Sequence, residues 1–62
     1  MKQYTTGRTW YDEAKEGFAT DIGTVKKDGS PNKLLFSAWA DKEEDSKTQA
    51  ELLVNLLNNA AK

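Results

Sequence analysis

Cysteine and histidine are both absent from this chain of 62 residues. Without cysteine there is no disulfide framework. Without either residue there is no zinc site of the usual Cys/His type, no thiol nucleophile and no imidazole base. No catalytic constellation is visible, so no enzyme, cofactor or metal is expected. No apolar run approaches the 18 or so residues of a membrane helix, and the opening residues lack the apolar core of a signal peptide. A soluble, intracellular protein with no membrane partner is therefore expected. A basic excess is lacking too. Nine Lys and Arg stand against ten Asp and Glu, a net charge of -1. Duplex nucleic-acid binders carry far more positive charge, so that class is not expected; a small anion met by one or two cations stays open. Repeats and low-complexity segments are missing as well. The chain reads as one small domain, residues 1–62. A domain of this size buries only about 60% of the surface its unfolded chain exposes, and chains without staples often gain stability by oligomerising.

What is present is one long periodic segment. Residues 46–61 hold four of the six leucines. At about 100° per residue, Ala50, Leu53, Val54, Leu57, Ala60 and Ala61 centre one face of a helix, and Leu52 and Leu56 widen it on one flank. The apolar arc covers about 200°, twice the stripe of an ordinary surface helix. A small sheet covers Leu53 and Leu57 and leaves Leu52 and Leu56 wet. Either a loop covers that flank or a second copy does. The second is favoured, so Leu52, Leu53, Leu56 and Leu57 are the expected interface of a homo-oligomer. Asp41, Asp45 and Ser46 are all good N-cap types, and Asp41-x-x-Glu44 and Ser46-x-x-Gln49 both resemble capping boxes. The acidic run 41–45 suits the positive end of the helix dipole and reads as structural.

Upstream, residues 1–10 favour extended structure, with Gly7 marking a bend or bulge. Residues 11–17 read as a turn or one helical turn ended by Gly17. Residues 18–25 form a strand in which Phe18 and Ile22 share a face, with Gly23 as the candidate bulge. Residues 26–32 are rich in turn formers, and residues 33–40 form the second strand of a hairpin. Leu34, Phe36 and Ala38 are expected on one face of it, Leu35 and Trp39 on the other. One face must cover the helix. The other needs cover from the N-terminal segment or from a partner subunit. The fold class is α+β: a small antiparallel β-sheet, made of a hairpin plus an N-terminal extended segment, packed on one C-terminal α-helix.

The aromatic–basic cluster near the start is the candidate site. Arg8 can fork onto a phosphate, and Trp10 or Tyr11 can stack on a base. Thr6 and Thr9 can add hydrogen bonds. The plainer reading makes Trp10 and Tyr11 a lid on the open sheet face, and Trp39, in mid-strand, a core residue. The segment 26–31 is not a P-loop; it lacks the glycine spacing and the following helix.

The stretch Tyr4-Thr5-Thr6-Gly7-Arg8-Thr9-Trp10 resembles the T-P-G-P-W opening of very short phage and prophage proteins, without its two prolines. Ala38-Trp39-Ala40-Asp41 is similar to the A-x-x-D junction that follows their strand pair. Residues 49–57 are similar to their closing Leu-rich helix. The resemblance implies a phage accessory protein working in the host cytoplasm. Such proteins often counter host defence. Some inactivate a host protein; others, of the anti-CBASS type, are oligomeric sponges for cyclic nucleotide signals. The favoured expectation is a non-catalytic sponge in which Thr6, Arg8, Thr9, Trp10 and Tyr11 hold a small anionic nucleotide. The alternative is a protein–protein inhibitor that docks on a host factor through residues 41–45 or a strand edge.

Overall fold

The structure, a computed structural model, describes residues 3–60. Three strands, β1 (Tyr4–Asp12), β2 (Gly17–Val25) and β3 (Pro31–Ala40), precede one helix, α1 (Glu43–Ala60). The strands form an antiparallel sheet in the order β1-β2-β3, and α1 crosses one face of it. This is the expected α+β arrangement. No helix among the described residues is long and apolar enough to cross a membrane.

Alternation along β2 divides the sheet. Phe18, Thr20 and Ile22 face α1; Gly17, Ala19, Asp21 and Gly23 face away. The core lies on the helix side, where Ile22, Ala38, Ala50 and Val54 are buried and Tyr4, Leu53 and Leu57 pack around them. Full burial of Ile22 stabilises by roughly 1.5–3 kcal/mol. Alanines at 38 and 50 let the helix approach the sheet closely. The core is small as a result, and Leu52 and Leu56 stay exposed, at 62% and 59%.

The first turn, after Asp12, is held by the Asp12 carboxylate, which accepts from the Ala14 and Lys15 amides. Glu16 closes it with φ at 53°. In the second turn Gly29 takes φ 88°, a value glycine reaches at no steric cost. There the Lys26 amide donates to the Ser30 carbonyl and the Gly29 amide to the Lys26 carbonyl.

Four expectations need correction. The helix starts at Glu43, three residues before Ser46, and Lys42 accepts the Ser46 amide, so none of Asp41, Asp45 and Ser46 is the cap. Glu43, Glu44 and Asp45 occupy the first turn, where negative charge meets the dipole. Ser46 is instead fully buried. Its hydroxyl donates to the Ala38 carbonyl at 2.9 Å, so it accepts from Thr20 at 2.8 Å, and Thr20 in turn accepts from Thr9 at 3.0 Å. That hydroxyl chain links β1, β2, β3 and α1.

The second correction concerns β3. Ile22 pairs with Phe36, but Gly23 pairs with Leu34, so Leu35 is an extra residue. The bulge moves Leu34 from the helix side to the face that carries Ser37 and Trp39. Third, Trp39 is not core; it lies on that outer face and is 38% exposed. Fourth, the N-terminal segment forms no separate layer over the outer face, although its Trp10 side chain covers part of it. The segment lies in the plane of the sheet as β1, hydrogen-bonded to β2. The expected bend at Gly7 is there: Thr6 pairs with Ile22 but Thr9 with Thr20, which leaves an extra residue at Gly7 and Arg8. Ala61, expected on the helix face, lies outside the described residues.

Candidate functional site

The outer face of the sheet is the candidate site. Its central strand offers Gly17, Ala19, Asp21 and Gly23, so the middle of the face is low and the side strands form walls. Trp10 and Trp39 both pair with Ala19, from opposite sides. They cover it, and Ala19 is only 4% exposed. A Cβ on Gly17 would meet the Trp39 indole at 2.5 Å, so that ring lies directly over Gly17. Trp10 leans the other way and donates its N–H to Asp21 Oδ1 at 2.9 Å. Ser37 donates to the same oxygen at 2.9 Å. Asp21 is thus fixed by one donor from each neighbouring strand.

Beyond Asp21 the face opens into a depression of about 300 Å³, lined chiefly by Gly7, Arg8, Asp21, Gly23, Lys33 and Leu34. That is the lower end of the range for small-ligand pockets. Gly23 is needed here because the Lys33 carbonyl occupies the space its side chain would fill. The β1 bulge brings Arg8 to one rim, and the doubly bulged start of β3 brings Lys33 to the other. Among the described residues neither cation has an ion-pair partner; Lys47 is paired with Glu43 at 3.2 Å. From the Ala19 row to the Gly23 row the sheet runs about 13 Å at about 3.3 Å per residue. Indole rings stand at one end of that distance, cations at the other, and a carboxylate between.

The five residues singled out from the sequence do not share one surface. Arg8 lines the depression, and Trp10 borders it through Asp21. Thr6 and Thr9 line a smaller cavity of about 150 Å³ on the helix side, with Lys47 and Glu51. Thr9 is held there by Thr20. Tyr11 also lies on the helix side, edge-on to Phe18 with ring centroids 5.3 Å apart. The two faces follow from the bulge: Thr6 and Thr9 share the helix side although two residues, an even number, lie between them. Lys33, Asp21 and Leu34 are residues that sequence reasoning missed. A lysine beside a turn and an aspartate inside an apolar strand were the available signals. Of the expected interface leucines, Leu53 and Leu57 are half-buried against the core, while Leu52 and Leu56 project into solvent. No group of three or more acidic side chains among the described residues is arranged to hold a metal ion.

Comparison with protein-family models, with curated proteins and with solved structures gives no match.

Proposed function

We propose that the chain is a non-catalytic binding protein that captures a small anionic nucleotide on the outer face of its sheet. One observation carries this reading: Arg8 and Lys33 stand on opposite rims of the same glycine-floored depression, without ion-pair partners among the described residues. A phosphate between them gains a forked contact from the guanidinium and a point charge from the ammonium. The Asp21 carboxylate can accept from a ribose hydroxyl or a base amino group, and the exposed surface of the Trp10 indole offers a stacking platform. Capture needs no chemistry, because stoichiometric binding removes the ligand from solution. In the phage-accessory reading, the ligand is a cyclic nucleotide of host defence signalling and the chain acts as a homo-oligomeric sponge in the host cytoplasm.

Thermal melting against a panel of cyclic di- and trinucleotides tests the reading. A ligand at 100 times its Kd stabilises the fold by about 2.7 kcal/mol. No shift with any member contradicts it. A second reading, inhibition of a host protein, draws on the exposed acidic corner formed by Asp41, Glu43, Glu44 and Asp45. In that case a partner with a basic patch, not a nucleotide, shifts the melt.

A further inference from the structure

We propose that the β3 edge is a two-fold interface with a second copy of this chain. The two β3 strands pair antiparallel into a six-stranded sheet, and Leu52 and Leu56 of both copies meet above the seam. This deepens the oligomer part of the functional reading and is independent of nucleotide capture.

The two edges of the sheet are not alike. On β1, Asn58 occupies the first backbone groups: its Oδ1 accepts from the Gln3 and Tyr4 amides, and its Nδ2 donates to the Tyr4 carbonyl. The bulge at Gly7 and Arg8 then breaks the middle of that edge. Bulges and charges of this kind are how exposed edges are kept from pairing. On β3, Pro31, Lys33 and two bulges guard the first half. From Phe36 to Ala40 the strand is in regular register and carries no charge and no proline. Its large side chains remain exposed, Leu35 and Phe36 at 46% and 43%.

The helix presents its apolar flank on the same side. Lys47 and Glu51 line the cavity beside β1, and Asn58 bonds to β1. Asp45, Thr48 and Gln49 lie beside Trp39 and Ala40 of β3. Leu52 and Leu56 continue the Asp45–Gln49 ridge at helical spacing, so they overhang the β3 edge. With strands about 4.8 Å apart, two helices seated over their own central strands would lie about 14 Å apart across the seam. That spacing leaves room for Leu52, Leu56 and Phe36 of both copies.

Area and charge support a second copy as the occupant. A compact protein of 6.9 kDa exposes about 4,000 Å², whereas this chain exposes 4662 Å². The excess, about 650 Å² per chain, approaches the roughly 800 Å² each partner contributes to a standard interface. An axis through Ser37 sets Phe36 opposite Ala38 of the other copy, within the regular, uncharged stretch Phe36–Ala40. No like charges face each other.

Sedimentation of the unmodified protein at micromolar concentration, with backbone hydrogen exchange at high and low concentration, tests this. The expected result is a dimer whose β3 amides lose protection on dilution while those of β1 do not. Leu56→Glu should shift the equilibrium to a folded monomer; if that variant unfolds, the exchange data on the unmodified chain decide. An oligomer whose β3 protection is independent of concentration overturns the β3 interface and leaves the oligomer reading standing. A monomer with freely exchanging β3 amides overturns both and leaves the edge open to an extended segment of another protein.

Discussion

Trp10 and Asp21 are joined across neighbouring strands by an indole N–H···Oδ1 bond of 2.9 Å, on the face of the sheet that α1 does not cover. Ser37 completes the pair from the third strand. The bond turns the Trp10 ring toward the depression and holds the carboxylate at its margin. Trp10→Phe keeps a ring and removes the donor. It should lower stability by roughly 1.5–3 kcal/mol, the usual range for a hydrogen bond to a charged group. Urea unfolding that leaves the midpoint unchanged would mean Asp21 finds water as readily as indole.

Ser46 shows where sequence reasoning stops. A serine after acidic residues and three before glutamine has the signature of a helix cap. The run Glu43-Glu44-Asp45 has helix-compatible composition, so the helix continues upstream, and Ser46 turns inward to meet the Ala38 carbonyl. Ser46→Ala should cost about 1–3 kcal/mol, because a buried carbonyl loses its hydroxyl partner and Thr20 loses its acceptor. A chemical denaturation series on Ser46→Ala and Thr9→Ala checks this, with the larger loss at Ser46.

Much of the fold was legible. The period of α1, the turn formers at residues 26–32 and the bulge at Gly7 all announced themselves in residue types. The faces of β3 did not. Leu34, Phe36 and Ala38 have perfect alternation, and a bulge at Leu35 breaks it without any residue to mark the place. The site was half legible for the same reason. Arg8 and Trp10 were found by local chemistry, but Thr6, Thr9 and Tyr11 go to the other face, and Lys33 arrives only through strand pairing. Trp39 read as core because Gly17, over which its ring lies on the outer face, is distant in sequence.

The two glycines of β2 should respond differently to alanine. At Gly23 the added Cβ meets the Lys33 main chain, which can move only by undoing the bulge. At Gly17 it meets the end of the partly exposed Trp39 side chain, which can swing away. Gly23→Ala should therefore cost about 1–3 kcal/mol, the range for overpacking, and Gly17→Ala distinctly less. Equal shifts in melting temperature would mean the Trp39 ring is as fixed as backbone.

Asp28 should titrate below its ordinary value of 3.8, because the Ser30 hydroxyl donates to its carboxylate at 2.6 Å and the Ser30 amide donates at 3.0 Å. A depressed folded pKa stabilises above the unfolded value, and that contribution fades as pH falls through the folded one. Ser30→Ala removes the larger cause, so the Asp28 pKa should rise toward the ordinary value. NMR titration of the side-chain carboxyl reads this directly. A pKa unchanged by the substitution would place the cause elsewhere in the turn.

The central claim is that Arg8 and Lys33 act together on one anion. Calorimetric titration of a cyclic nucleotide into the unmodified protein and into Arg8→Ala, Lys33→Ala and Thr9→Ala tests it most directly. The account predicts binding by the unmodified chain and a loss of about tenfold or more for each cation removed, the equivalent of roughly 1.5–3 kcal/mol for a charge-assisted contact. Thr9→Ala, on the helix side, should bind as the unmodified protein does. Binding that is unchanged in Arg8→Ala or in Lys33→Ala, or that fails with Thr9→Ala while the fold is intact, would contradict it.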